Sequence, residues 1–308
     1  MSGSDLLDRR LVVVTGKGGV GKSTVSAALA VLAARRGKRV LVAEVDARER
    51  VAPMLGGRPT GPVVRPVLPG ISTVNVDPRH ALEEYALLVV KVRALYQAVF
   101  ENRVVRFFLR AVPSLAETLM LGKILHEARS EDRGRPRWDL VVVDAPATGH
   151  ALQLLGVPRA LLDTVPGGPL RRDAEWMQAL LSDPARTSVA LVALPEEMPV
   201  TETAELDARL RDDLRLPRGP VFLNAMPEAR FTVSDIARLR DLSGSPPPLG
   251  PAARAGLLQA EQRERADEQA DRLRSLLGRP VLPLPLVASD RWGRRSVERI
   301  ADAMDGAI

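Results

Sequence analysis

The nine residues GKGGVGKST, Gly16 to Thr24, carry a lysine near each end of a glycine-rich turn, Lys17 and Lys22. Gly16, Gly21, Lys22 and Ser23 satisfy the spacing G-x-x-x-x-G-K-[ST], which is that of a phosphate-binding loop. The N–H groups of Gly18, Gly19, Val20 and Gly21 would point at phosphate oxygens, helped by the positive end of the following helix. Lys22 would reach the β/γ-phosphates, the Ser23 hydroxyl would bind Mg²⁺, and Thr24 completes the binding stretch. A glycine turn that binds nothing is the plain alternative. The apolar run Leu11–Thr15 before the turn and the alanine- and leucine-rich helical pattern after it argue against that alternative. Lys17 is extra to this chemistry.

Three more polar residues close apolar runs. Asp144 ends "LVVVD", where a carboxylate can hold a metal-bound water while the loop holds phosphates. The turn after it, Ala145 to His150, is suited to sensing a γ-phosphate. Asp46 ends "VLVAEVD" and could orient an attacking water; a helix N-cap or a solvated loop acid is the other reading, and Glu44 competes for the role. Asn224 ends "GPVFLN", with a donor–acceptor amide that suits the edge of adenine, or else forms a turn before Pro227. His80, His126 and His150 lack metal-ligand spacing.

Short apolar runs must position these groups: Leu11–Thr15, Arg39–Glu44, Ser72–Val76, Leu140–Asp144, Ser188–Leu194, Pro220–Asn224 and Val281–Leu284. They alternate with helical patterns, which predicts an α/β fold: a doubly wound, mostly parallel sheet with ligands at the carboxyl ends of its strands. Residues 77–135 break the alternation and read as an all-helical insertion into an ATPase domain formed by residues 1–76 and 136–308. Within the insertion Tyr85, Leu88, Val89, Val92, Leu95, Tyr96 and Val99 fall on one face, and further helical pieces follow at Val104–Val112 and Leu115–Ala128. Arg129–Arg137 reads as a polar loop, Ser243–Pro251 as a rigid connection, and Leu257–Leu277 as a charged helix turning Ala266, Ala270, Leu273 and Leu277 inward.

The 308 residues contain no cysteine, which excludes disulfides, thiolate metal sites and a cysteine nucleophile. Net charge is +6, but the basic residues are scattered and aromatics are only 3%, so direct nucleic-acid binding is disfavoured. Lys91 and Arg93 interrupt the most apolar region, so no membrane span is expected. The N-terminus lacks signal-peptide order, which points to the cytoplasm.

"GKGGVGKST" resembles the deviant phosphate loop of the ATPase class that includes nitrogenase iron protein and the chromosome- and cell-division-positioning ATPases. "VVVDAPATGHALQLL" and "ALPEEMPVTETAELDARL" narrow the resemblance to the ArsA-type family, the arsenite-pump ATPase and its relatives that target tail-anchored membrane proteins. The resemblance implies ATP and Mg²⁺ as cofactors and a nucleotide-switched dimer, homodimer or heterodimer with a related ATPase. It implies that Lys17 contacts the nucleotide of the other subunit, that Asp46 activates water, that Asp144–His150 is the second switch and that Asn224 reads adenine. It also implies that the insertion offers an apolar groove to a client helix, and it leaves room for peripheral membrane contact. Two alternatives are a positioning ATPase, which the weakly apolar C-terminal stretch Trp292–Ile308 does not favour, and a regulatory subunit. This chain departs from the family at the first switch, Asp46-Ala47-Arg48-Glu49 for Asp-Pro-Ala-His. It lacks the arsenite-binding and zinc-binding cysteines, and it carries one ATPase half where the pump has two.

Overall fold

The computed structural model describes residues 6–90 and 115–308, and the side chains of residues 85–90 fall outside that description. The whole Tyr85–Val99 face, which is a matter of side chains, and the Val104–Val112 piece therefore lie outside the described residues.

An eight-stranded sheet forms the centre of the molecule. Its strands are β1 (Leu11–Gly16), β2 (Val40–Val45), β3 (Arg65–Leu68), β4 (Ile71–Val76), β7 (Leu140–Ala147), β8 (Thr187–Ala193), β9 (Arg218–Met226) and β10 (Val281–Pro285), in the order β10-β9-β8-β1-β7-β2-β4-β3. All pairings are parallel except β3 with β4, an antiparallel edge strand absent from the sequence reading. Arg65 and Pro66 in β3 are exposed, so the strand lacks the buried apolar run that marks the others. β5 (Glu131–Asp132) and β6 (Arg135–Pro136) form a small hairpin where a polar loop was expected. Two-residue strands leave no periodicity to read.

Burial explains the choice of elements. Every residue of β1 and β2 is buried, as parallel strands covered on both faces require. Helix α1 (Lys22–Arg35) is buried from Thr24 to Ala33 with no polar stripe, which fits a helix enclosed on all sides. It lies on one sheet face beneath α2 (Val51–Met54) and α10 (Arg294–Met304). The opposite face carries α3 (Pro78–Val90), α4 (Leu115–Arg129), α5 (Thr148–Thr164), α6 (Pro169–Ser182) and α7 (Glu197–Asp212). Near the far edge, α8 (Val233–Leu242) packs on the long α9 (Leu249–Leu277). Helix α4 contributes Leu119, Met120, Leu121, Ile124, Leu125 and Ala128 to the core of that face. As expected, α9 buries Ala266, Ala270 and Leu273, although it begins eight residues earlier than its sequence pattern suggests, at Leu249 rather than Leu257.

The C-terminal stretch differs from its reading. Helix α10 has a well-formed apolar face, Val297, Ile300, Ala301 and Met304, and that face is buried in the same core as α1. Outside it, Arg35 pairs with Asp302 and Arg36 with Asp305.

Candidate active site

The carboxyl ends of β1, β7 and β9 bring the loop, Asp144 and Asn224 into contact, whereas Asp46, just beyond β2, has no side-chain hydrogen bond or ion pair with them among the described residues. At the end of β1, Gly16 has φ 153°, and a side chain there would run into the carbonyl of Val192 on β8. Gly21, with φ 94°, sits against the Asn224 side chain, so a β-carbon at this position would displace it. These two glycines let the loop turn tightly between strand and helix.

Lys22 donates to the Lys17 carbonyl at 3.1 Å, folding back over its own loop. Burial pulls its ammonium below the ordinary value; Asp144 opposes the shift and Arg50 adds to it. Beneath the loop Ser23 Oγ donates to Asp144 Oδ2 at 2.6 Å, and Ser26 Oγ donates to Oδ1 at 3.3 Å. Ser26 lies one helical turn beyond Ser23 on the same face of α1, a spacing that could have identified it. Asp144 is 5% exposed, and burial pushes its carboxyl up against the opposing pull of Ser23, Lys22, Ser26 and Arg50. The Thr15 hydroxyl bonds the Pro146 carbonyl at 3.2 Å and ties β1 to the turn after Asp144.

Asp46 follows β2 and is exposed, with a left-handed φ of 44° and its N–H bonded to Val76. An aspartate tolerates this conformation better than most side chains, and such outliers gather at functional sites. Glu44 differs sharply from it. It is fully buried, accepts the backbone N–H groups of Arg50 and Val51 at Oε1, and has no partner for Oε2. Burial pushes its carboxyl up to about 7.

Asn224 Nδ2 donates to the Val20 carbonyl at 2.9 Å, so the residue touches the phosphate loop from β9, 204 positions away. Lys17 is held by Glu202 of α7 at 2.6 Å, with both side chains about one-third exposed. Nothing in the sequence links these two residues; only the adjacency of β1 and β8 brings α7 to the loop. The histidines stand apart: His80 pairs with Asp77 at 2.7 Å, and His126 and His150 are exposed.

The donor set suits a hard cation. A serine hydroxyl touches a buried carboxylate, and an unpartnered carboxylate oxygen lies on the neighbouring strand. Among the described residues no three His, Cys, Asp or Glu gather to hold a metal. Mg²⁺ in nucleotide sites needs no such cluster, because phosphates and water supply most of its ligands.

The family described as anion-transporting ATPase matches residues 9–165, which include the phosphate loop, Asp46 and Asp144. The ATPase BagA of Mycobacterium tuberculosis is 32% identical over 82% of this chain and 74% of its own length. An arsenical pump-driving ATPase of Acidiphilium multivorum is 29% identical over 70% of this chain but only 39% of its own length, and one from Escherichia coli is 28% identical over 64% and 36%. With half of its length matched, and with strand ends that converge on the phosphate loop, this chain belongs to the ArsA-type, anion-transporting family of ATPases.

Proposed function

We propose that this chain is a Mg²⁺-dependent ATPase with a deviant phosphate loop that works as a nucleotide-switched dimer. The carrying observation is the Ser23–Asp144 contact of 2.6 Å beneath a loop that already turns Lys22 inward. Lys22 binds and neutralises the β/γ-phosphates, and the loop N–H groups orient them. Ser23 and Asp144 would hold Mg²⁺, which when bound supplies charge to the phosphoryl oxygens. Asp46, exposed at the end of β2, positions water for in-line attack. Asn224 keeps an acceptor and a second N–H for the adenine edge while its first N–H holds the loop.

On this reading the Lys17 ammonium has no role in this chain's own phosphate site, where Lys22 provides the charge and only the Lys17 carbonyl is used. Its ammonium is engaged by Glu202. The dimer reading gives it one: released from Glu202, Lys17 brings positive charge to the nucleotide of a like or related subunit. The client, on this reading, is a protein with an apolar helix, handled by the segment from α3 to α4. That part rests on the family resemblance and on the periodicity of Tyr85–Val99.

Steady-state hydrolysis tests the proposal. Lys22→Ala should abolish Mg²⁺-ATPase activity and sharply weaken ATP binding. Asp46→Asn should leave ATP affinity within a few-fold and slow turnover by about a hundredfold, as expected when a positioned polar catalyst is lost. Near wild-type turnover of Lys22→Ala would remove the reading.

A further inference from the structure

Helix α8 buries none of its residues. It starts at a capping box, in which Thr232 Oγ1 accepts the Asp235 N–H at 3.2 Å and Asp235 Oδ2 accepts the Thr232 N–H at 2.9 Å. It comes close to α9 where Gly256 lacks a side chain: a β-carbon there would meet Leu239 at 3.0 Å and Phe231 at 3.4 Å. Beside this close approach the two helices leave a groove of about 640 Å³. Phe231, Val233, Ile236, Ala237, Leu257 and Ala260 give the groove an apolar floor. Val233 is 88% exposed on the first turn of α8, where the capping box fixes the helix start. One exposed valine is ordinary, but one that continues an apolar floor marks a surface with a use.

The rest of the lining is acidic. Six carboxylates and three arginines line the groove, in a chain whose net charge is +6. Arg230 pairs with Glu228, Arg263 with Asp267, and Asp271 with Arg274. Glu261, Glu264 and Glu268 have no hydrogen bond or ion pair among the described residues. Their spacings of three and four put them on one stripe of α9, away from Ala266, Ala270 and Leu273, which face the core. Like charges at these spacings repel, a cost that a cationic neighbour removes.

We infer that the groove between α8 and α9 docks a basic amphipathic helix of another protein. Its apolar anchors sit on the floor around Val233 and Ile236, and its lysines or arginines run along Glu261, Glu264 and Glu268. Charge decides the class of partner, because an acidic wall repels the phosphates of nucleic acid and of anionic lipid. Two helices form the walls, so a third fits by the packing the pair already uses. No residue of the phosphate site lines the groove, and the inference stands apart from the ATPase reading.

The test is fluorescence anisotropy on the full chain with three labelled peptides of about 18 residues, long enough for several helical turns. The first carries leucines at i, i+3, i+4 and i+7 with lysines along one flank. The second has glutamate for each lysine, and the third scrambles the first. The lysine peptide should bind at least about tenfold more tightly than its scramble and should weaken as salt is raised. The glutamate peptide should not bind. Val233→Asp and Glu264→Lys should each weaken the lysine peptide about tenfold with thermal unfolding unchanged, because both side chains are exposed. No binding of the lysine peptide, equal binding of the scramble, or normal binding by both variants overturns the inference. So does self-association of the wild type that Val233→Asp abolishes, which would make a second copy the occupant. Binding of phosphatidylglycerol vesicles that the same variant removes would overturn it in favour of a lipid surface.

Discussion

Two carboxylates two residues apart, Glu44 and Asp46, have opposite environments. Strand alternation would put both on one side, yet Asp46 leaves the strand in a left-handed turn and reaches solvent while Glu44 stays buried. The sequence shows the spacing but cannot show where the strand ends. Burial makes Glu44 a titrating group near neutrality, because the charged form loses water and recovers only two backbone hydrogen bonds. Its value rises from an ordinary 4.5 to about 7, so between those limits the folded protein holds a proton that the unfolded chain has released. This contribution to stability is fully present below about pH 4.5 and is lost as pH rises through 7. Chemical denaturation at pH 5 and pH 7.5 should therefore show stability falling with pH, by up to about 3 kcal/mol from this residue. Asp144 is raised in the same direction and remains in both proteins, so Glu44→Gln should reduce the fall without removing it. An unchanged slope in that variant would contradict the assignment.

At the scale of elements, the recognisable signals belong to the strands and to α1. Uninterrupted β-branched runs make β1 and β7 legible, and a helix of alanine and leucine without a polar stripe makes α1 legible as a buried element. Helix α10 is harder to judge, because its apolar residues are few and spaced among charges until α1 supplies a surface for them. Helix α7 illustrates the same limit. Its sequence carries Glu202 among several acids, and only packing beside β8 places that acid on Lys17. A partly exposed pair of this kind is worth about 1 kcal/mol, so it is a weak latch. On the proposed dimer reading, Glu202→Gln should then promote ATP-dependent dimerisation by about fivefold, which sedimentation velocity across a range of protein concentrations would measure. Weaker dimerisation in the variant would mean that Glu202 serves the assembled state instead.

At the scale of the whole molecule the question is whether one subunit completes the site of another. Lys17→Ala and Lys22→Ala homodimers should each be inactive. A mixed dimer keeps one site in which Lys22 comes from the first subunit and Lys17 from the second, so mixing the two inactive proteins should restore part of the activity. Failure to recover activity despite demonstrated heterodimers would exclude the trans arrangement. No described helix is long and apolar enough to cross a membrane.

Sequence alone determined the phosphate loop, the strand that carries Asp144 and the mostly parallel α/β architecture, because each depends on contiguous residues. A glycine spacing, a β-branched run and an alanine-rich helix are local patterns with local physical causes. Tertiary structure decided which distant groups meet: Asn224 on the Val20 carbonyl, Glu202 on Lys17, and Asp144, Glu44 and Asn75 in one row. Strand order sets those meetings, and strand order arises from how the sheet buries both faces at once, a condition on the whole chain that no single segment records.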